Sequence, residues 1–182
     1  MPVRRVLILL ALFASLADLP PASAQNPPLP VPGYPAVVSV PGAHNAPDPG
    51  KTYKVVFDIG HKSDAPDQPL PGLLMVAKYV NTLAQYGVPA SHRDIAVVFH
   101  QEAVASTVDN DTWKAAHNGA DNPSIALIQA LAKAGVALHV CGQGVARGHI
   151  DPKTIQPEIE VDVWALTTLI DLQQQGYIRV GD

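Results

Sequence analysis

Three largely apolar runs leave few folds open to this chain. Tyr53-Lys54-Val55-Val56-Phe57-Asp58-Ile59, Ile95-Ala96-Val97-Val98-Phe99-His100 and Val136-Ala137-Leu138-His139-Val140 are rich in β-branched residues, and Gly60 closes the first. Their apolar residues do not alternate with polar ones, which suits strands covered on both faces. Between them the period changes. Leu73, Val76, Ala77, Val80, Leu83 and Ala84 recur at helical spacing up to Gly87, with Pro89 beyond. Residues 101–120 form a weaker helical stretch around Val104, Val108 and Trp113. Asn122-Pro123 reads as an N-cap followed by Pro at the first helical position, and Ile125, Ile128, Leu131 and Ala132 continue that helix to Gly135. A loop or short helix follows Gly148, at Asp151 and Pro152. Glu158 to Val163 then alternates as a half-exposed strand. Val163, Leu166, Leu169 and Ile170 mark one more helix, closed by Gly176, and Tyr177–Val180 a last strand.

Strands alternating with helices imply a mostly parallel sheet with right-handed crossovers. The reading is α/β: a flavodoxin-like, doubly wound, mostly parallel five-stranded sheet with helices on both faces. Of the 182 residues, 47% are hydrophobic, enough for a sizeable core in one domain. That domain is placed at 51–182. Residues 25–50 carry eight prolines and read as a Pro-rich leader or linker, with Ala36–Val40 as its apolar island. Residues 1–24 read as a signal peptide: Arg4 and Arg5, an apolar core from Val6 to Leu16, and Ala22-Ser23-Ala24 as the cleavage signal. The mature protein is therefore expected outside the cytoplasm, in a periplasm, with no membrane attachment after cleavage near Ala24. Without residues 1–24 the chain loses Arg4, Arg5 and Asp18, and its net charge goes from −4 to −5. An acidic chain without basic runs is a poor ligand for nucleic acid.

Ligands of open parallel sheets bind beyond the carboxyl ends of the strands. The first three strands end at Gly60-His61, at His100-Gln101-Glu102 and at Cys141-Gly142-Gln143, so these clusters are expected along one edge. Cys141 is the single cysteine, which rules out an internal disulfide. It stands at a strand-to-helix turn in which Gly142 and Gly144 permit close approach, with Gln143 between them and Arg147 adding a positive charge. Thiols react as thiolates, and N–H donors and cations favour that form. Cys141 is thus the candidate catalytic residue. His100, His61 and Arg147 are supporting candidates, and Gly142, Gln143 and Gly144 form the turn. His139 reads as a packed core residue. Cys141, His100 and His61 would make a soft three-ligand site, but no pair has metal-ligand spacing, so no metal is expected. No Gly-rich phosphate loop follows the first strand and no G-x-S-x-G elbow is present, so no cofactor is expected either.

The turn Cys141-Gly142-Gln143-Gly144-Val145-Ala146-Arg147-Gly148 resembles the Cys-containing turn of the DsrE/DsrF-like sulfur-carrier family. Val97-Val98-Phe99-His100, Asn122-Pro123, Ala134-Gly135-Val136 and Gln175-Gly176-Tyr177 match further landmarks, over residues 51–182. Tyr34–Pro41 resembles the lead-in of a secreted, poorly characterised branch. Many relatives of that branch have His-Gly where this chain has His100-Gln101. The resemblance implies a flavodoxin-like fold, assembly into homo-oligomers (trimers or hexamers), Cys141 as persulfide acceptor and a thiol-bearing protein partner. Two readings stay open: a periplasmic sulfur carrier or sulfurtransferase-like protein using Cys141, and a non-catalytic oligomeric binding module for a small ligand or soft metal.

Overall fold

The computed structural model describes residues 28–181, so the signal-peptide reading of 1–24 lies outside the described residues. Five strands form one sheet: β1 (Tyr53–Ile59), β2 (Arg93–Phe99), β3 (Ala137–Cys141), β4 (Glu160–Asp162) and β5 (Ile178–Gly181). All four pairings are parallel, in the order β4-β3-β2-β1-β5. The helices are α1 (Pro71–Gln85), α2 (Asn110–Ala116), α3 (Ile125–Lys133), α4 (Gly142–Arg147) and α5 (Ala165–Gln174). None of the described helices is long and apolar enough to cross a membrane.

The apolar runs are explained by two cores, one on each face. Val55, Phe57, Ile59, Ile95, Val97, Phe99, Leu138 and Val140 point to the first face, under Leu73, Val76, Leu127 and Leu131 of α1 and α3. The alternate residues Val56, Ala96, Val98 and Cys141 point to the second, where they meet Ala165 and Leu169 of α5. The faces are unequal. Helices α1 to α4 share the first, whereas α5 covers the second by itself. Polar residues collect on that second face: Asp58, His139, Glu160, Asp162 and Arg179 share its parity by register.

Chain order fixes where the sheet opens. The first four strands step one way across the sheet, and the chain then returns past them to place β5 beside β1. Strand β3 therefore feeds α4 on the first face, while its neighbour β4 feeds α5 on the second. Adjacent strands whose exits diverge leave a crevice between them. Cys141, at the end of β3, lies at that divergence.

Several local expectations are corrected. The stretch 101–120 divides into a 3-10 helix, Gln101–Thr107, and α2, capped by Asp109 through Thr112 N–H at 2.8 Å. The regular helix α3 begins after Ser124, two residues beyond Asn122, and Ser124 makes no side-chain cap bond. Asn122 is buried, accepts from Ser124 N–H at 3.0 Å and donates to the Ser106 and Val108 carbonyls. Its side chain thus caps the turn that leads into α3 and ties that turn to the 3-10 helix. The leader is docked along α1 at two places: Val31, and Val37 of the apolar island, whose N–H donates to Thr82 Oγ1 at 3.1 Å and whose carbonyl accepts from Gln85 Nε2 at 3.3 Å. Val31 is fully buried, and Asn81 bonds both its N–H and its carbonyl at 2.9 Å. Val38 and Val40 are exposed. Tyr177, before β5, donates to Asp94 at the start of β2, and burial together with that carboxylate pushes its phenol up to about 12.

Candidate functional site

A cleft of about 480 Å³ opens at the carboxyl edge of the sheet. Its walls include Asp58 of β1, His100 and Gln101 after β2, Cys141 of β3, Gln143, Gly144 and Arg147 of α4, Trp164 and Leu166 at the start of α5, and Arg179 of β5. Three strand ends, two helix starts and the last strand thus meet here.

The thiol is buried, 5% exposed, because Ala165 and Leu169 of α5 pack against it. Access is through the cleft. Cys141 is the N-cap of α4, and its Sγ accepts the N–H of Ala165, the first residue of α5, at 3.4 Å. That N–H has no partner within its own helix. The sulfur therefore stands where two helices begin, and an N–H aimed at it supports negative charge there. Gln143 reaches across the turn to donate to the Val163 carbonyl at 3.2 Å, joining α4 to the segment before α5.

The glycines of the turn are needed for approach. A Cβ on Gly142 would come within 2.5 Å of the Asp162 carbonyl oxygen, and one on Gly144 within 2.7 Å of Val104 Cγ2. The first obstacle is backbone and cannot swing aside. Gly142→Ala is therefore expected to cost about 1–3 kcal/mol of stability by forcing β4 away from β3. Denaturant unfolding checks this, and a variant as stable as the parent would remove the close-approach argument.

Beside the thiol stands an ion-paired cluster not visible as a motif. Asp58, 5% exposed, lies between His100 and Arg179. His100 Nε2 is 2.6 Å from Asp58 Oδ1, a contact that is attractive only with a proton on Nε2. Arg179 donates to Asp58 Oδ2 from Nε at 2.8 Å and again from Nη2. The paired nitrogen of His100 is thus turned to Asp58, which fixes the ring against the cleft wall. Gly60 leaves room for it, since a Cβ there would lie 3.0 Å from His100 Cε1.

The supporting candidates divide. His100 and Arg147 line the cleft with Cys141; His61 is exposed and does not. The contribution of β1 comes from Asp58, whose parity matches the second face. Asp58 and Arg179 were missed by motif reasoning, although an acid inside an apolar strand was a usable signal. Gln101 lines the cleft with φ at 49°, in the left-handed region that favours glycine. That backbone explains why a His-Gly pair suits this position, and it makes Gln101 a strained residue on the cleft wall.

The family model that matches this chain is described as the DsrE/DsrF-like family, and the match runs over residues 54–180. The chain belongs to the DsrE/DsrF-like family. This family is associated with sulfur relay, which supports a sulfur-carrier-like role in broad terms. No curated protein sequence matches the chain. Among solved structures, a protein of unknown function from Methanobacterium thermoautotrophicum, MTH1491, superposes on this DsrE/DsrF-like chain with a TM-score of 0.51 at 17% identity. The superposition covers 71% of this chain and 99% of that one, and it is a likeness of fold.

Proposed function

We propose that this DsrE/DsrF-like protein is an exported, periplasmic sulfur carrier that holds sulfane sulfur on Cys141. The observation that carries the reading is the thiol's placement: lining a cleft that Arg147 also lines, on the N–H that opens α5. Loading balances without a cofactor. The Cys141 thiolate attacks the outer sulfur of thiosulfate, a sulfur–sulfur bond forms, the donor's sulfur–sulfur bond breaks, and sulfite leaves with that bond's electron pair. Discharge is the same step with an acceptor thiolate attacking the persulfide's outer sulfur and Cys141 leaving as thiolate. Arg147 offers charge to an anionic donor. The acceptor is a thiol on a partner protein, and the exposed apolar residues Val163, Trp164 and Leu166 beside the cleft suit either that partner or a neighbouring subunit of a homo-oligomer.

The test is intact-mass analysis of the protein without residues 1–24 after exposure to polysulfide or thiosulfate. One added sulfur atom is expected, mapping to the Cys141 peptide and absent after prior alkylation of the thiol. A protein that takes up no sulfur from either donor would sink the proposal, and the burial of Cys141 would then favour the non-catalytic binding module.

A further inference from the structure

We propose that His139, Glu160 and Asp162 form a divalent-cation site on the second face of the sheet, of the kind zinc makes with imidazole nitrogen and carboxylate oxygens. The parallel pairing of β3 with β4 sets His139 against Glu160 and Cys141 against Asp162, so the three side chains stand on one face. One ligand atom from each lies within 4.8 Å of the other two. His139 Nδ1 is 3.1 Å from Asp162 Oδ2 and 3.9 Å from Glu160 Oε2.

The state of His139 Nδ1 points to a ligand. The atom is buried and has no hydrogen-bond partner, even though Asp162 Oδ2 is at hydrogen-bond distance. The groups facing it are two carboxylates, of Asp162 and Glu160. Such spacing suits two groups that share a third. A cation at about 2.0–2.1 Å from each, at a near-tetrahedral angle, holds its ligand atoms about 3.3 Å apart. A cation held there would satisfy the imidazole nitrogen and both carboxylates at once.

Two further features fit. Glu160 and Asp162 place two negative charges side by side, which a dication offsets. Thr168 Oγ1, on α5, donates to Asp162 Oδ2 at 2.7 Å and fixes that carboxylate, as the outer partners of metal ligands commonly do. Glu160 is exposed and free to close on an ion from solvent. Three protein ligands leave a position for water or for an added group. The cluster carries no ligand spacing in the sequence, because the sheet register, and not a helix or a turn, brings position 139 to positions 160 and 162. It does not depend on the sulfur chemistry of Cys141.

The experiment is calorimetric titration of chelator-treated protein with zinc chloride, in the parent, Asp162→Asn, Glu160→Gln and Cys141→Ser. The parent is expected to bind one equivalent per chain. Binding should weaken about tenfold or more in each carboxylate variant and stay unchanged in Cys141→Ser, and the His139 ring signals in NMR should shift on zinc addition. Glu160 is a surface residue, so its variant keeps the test sound even where Asp162→Asn loosens β4. The proposal is overturned by any of three results: no saturable binding by the parent, binding that survives in both carboxylate variants, or binding lost only in Cys141→Ser.

Discussion

Cys141→Ser is expected to take up no sulfane sulfur from either donor while remaining folded. Serine keeps the shape of cysteine closely, and its Oγ accepts the Ala165 N–H that Sγ accepts at 3.4 Å. Its packing neighbours Val98, Ala165 and Leu169 are apolar. Placing a hydroxyl there with one partner costs about 1–2 kcal/mol, which lowers the melting temperature without unfolding the domain. The chemistry does not survive, because a neutral hydroxyl does not attack sulfane sulfur as a thiolate does. Intact mass and a thermal melt on the same sample separate the two effects. A variant that loads as much sulfur as the parent would show that the sulfur resides elsewhere.

Arg179→Met is expected to be the most destabilising change in the cleft. It leaves the buried Asp58 carboxylate with His100 as its remaining partner. Breaking a buried ion pair from one side commonly costs about 3–5 kcal/mol, and the half-exposed position of Arg179 reduces this to about 2–3 kcal/mol. Asp58→Asn should cost less, because an amide oxygen still accepts from the guanidinium. Adding Asp58→Leu to Arg179→Met should restore at least half of the loss, since the buried charge is then gone. Denaturant unfolding of the parent, Arg179→Met, Asp58→Leu and the double variant forms a cycle. A double variant less stable than Arg179→Met would mean that the Asp58 charge is not the source of the cost.

The pattern of the chain foretold the five strands because their composition is set locally, by the two faces each must fill. Val55, Val56, Phe57 and Ile59 are all apolar because alternate residues enter different cores. The same rule hid Asp58, which looks like an interruption until β5 brings Arg179 beside it. Cys141 was legible because it combines a strand end, a glycine turn and a lone thiol within eight residues. His61 was placed near it by position along the chain, but side-chain parity at the end of β1 favours Asp58. Asn122 was legible as a cap because Asn-Pro is common there, but its burial against the Ser106 and Val108 carbonyls depends on contacts that no short window contains. Val31 gave no signal among prolines; its pocket is made by Asn81, fifty positions later.

The return of the chain from β4 to β5 also sets when the cleft can exist. Asp58 and Arg179 are 121 residues apart. Closing a loop of that span has an entropic cost that nearby contacts must already have offset, so pairings of high sequence separation are made late. The Cys141 turn is local and can form with β2, β3 and β4. Its charged neighbour cannot, because β5 must first find the open side of β1. An assembling molecule would thus hold a formed thiol turn beside an unmatched Asp58, and docking of the last strand completes both the sheet and the charge balance of the cleft in one event.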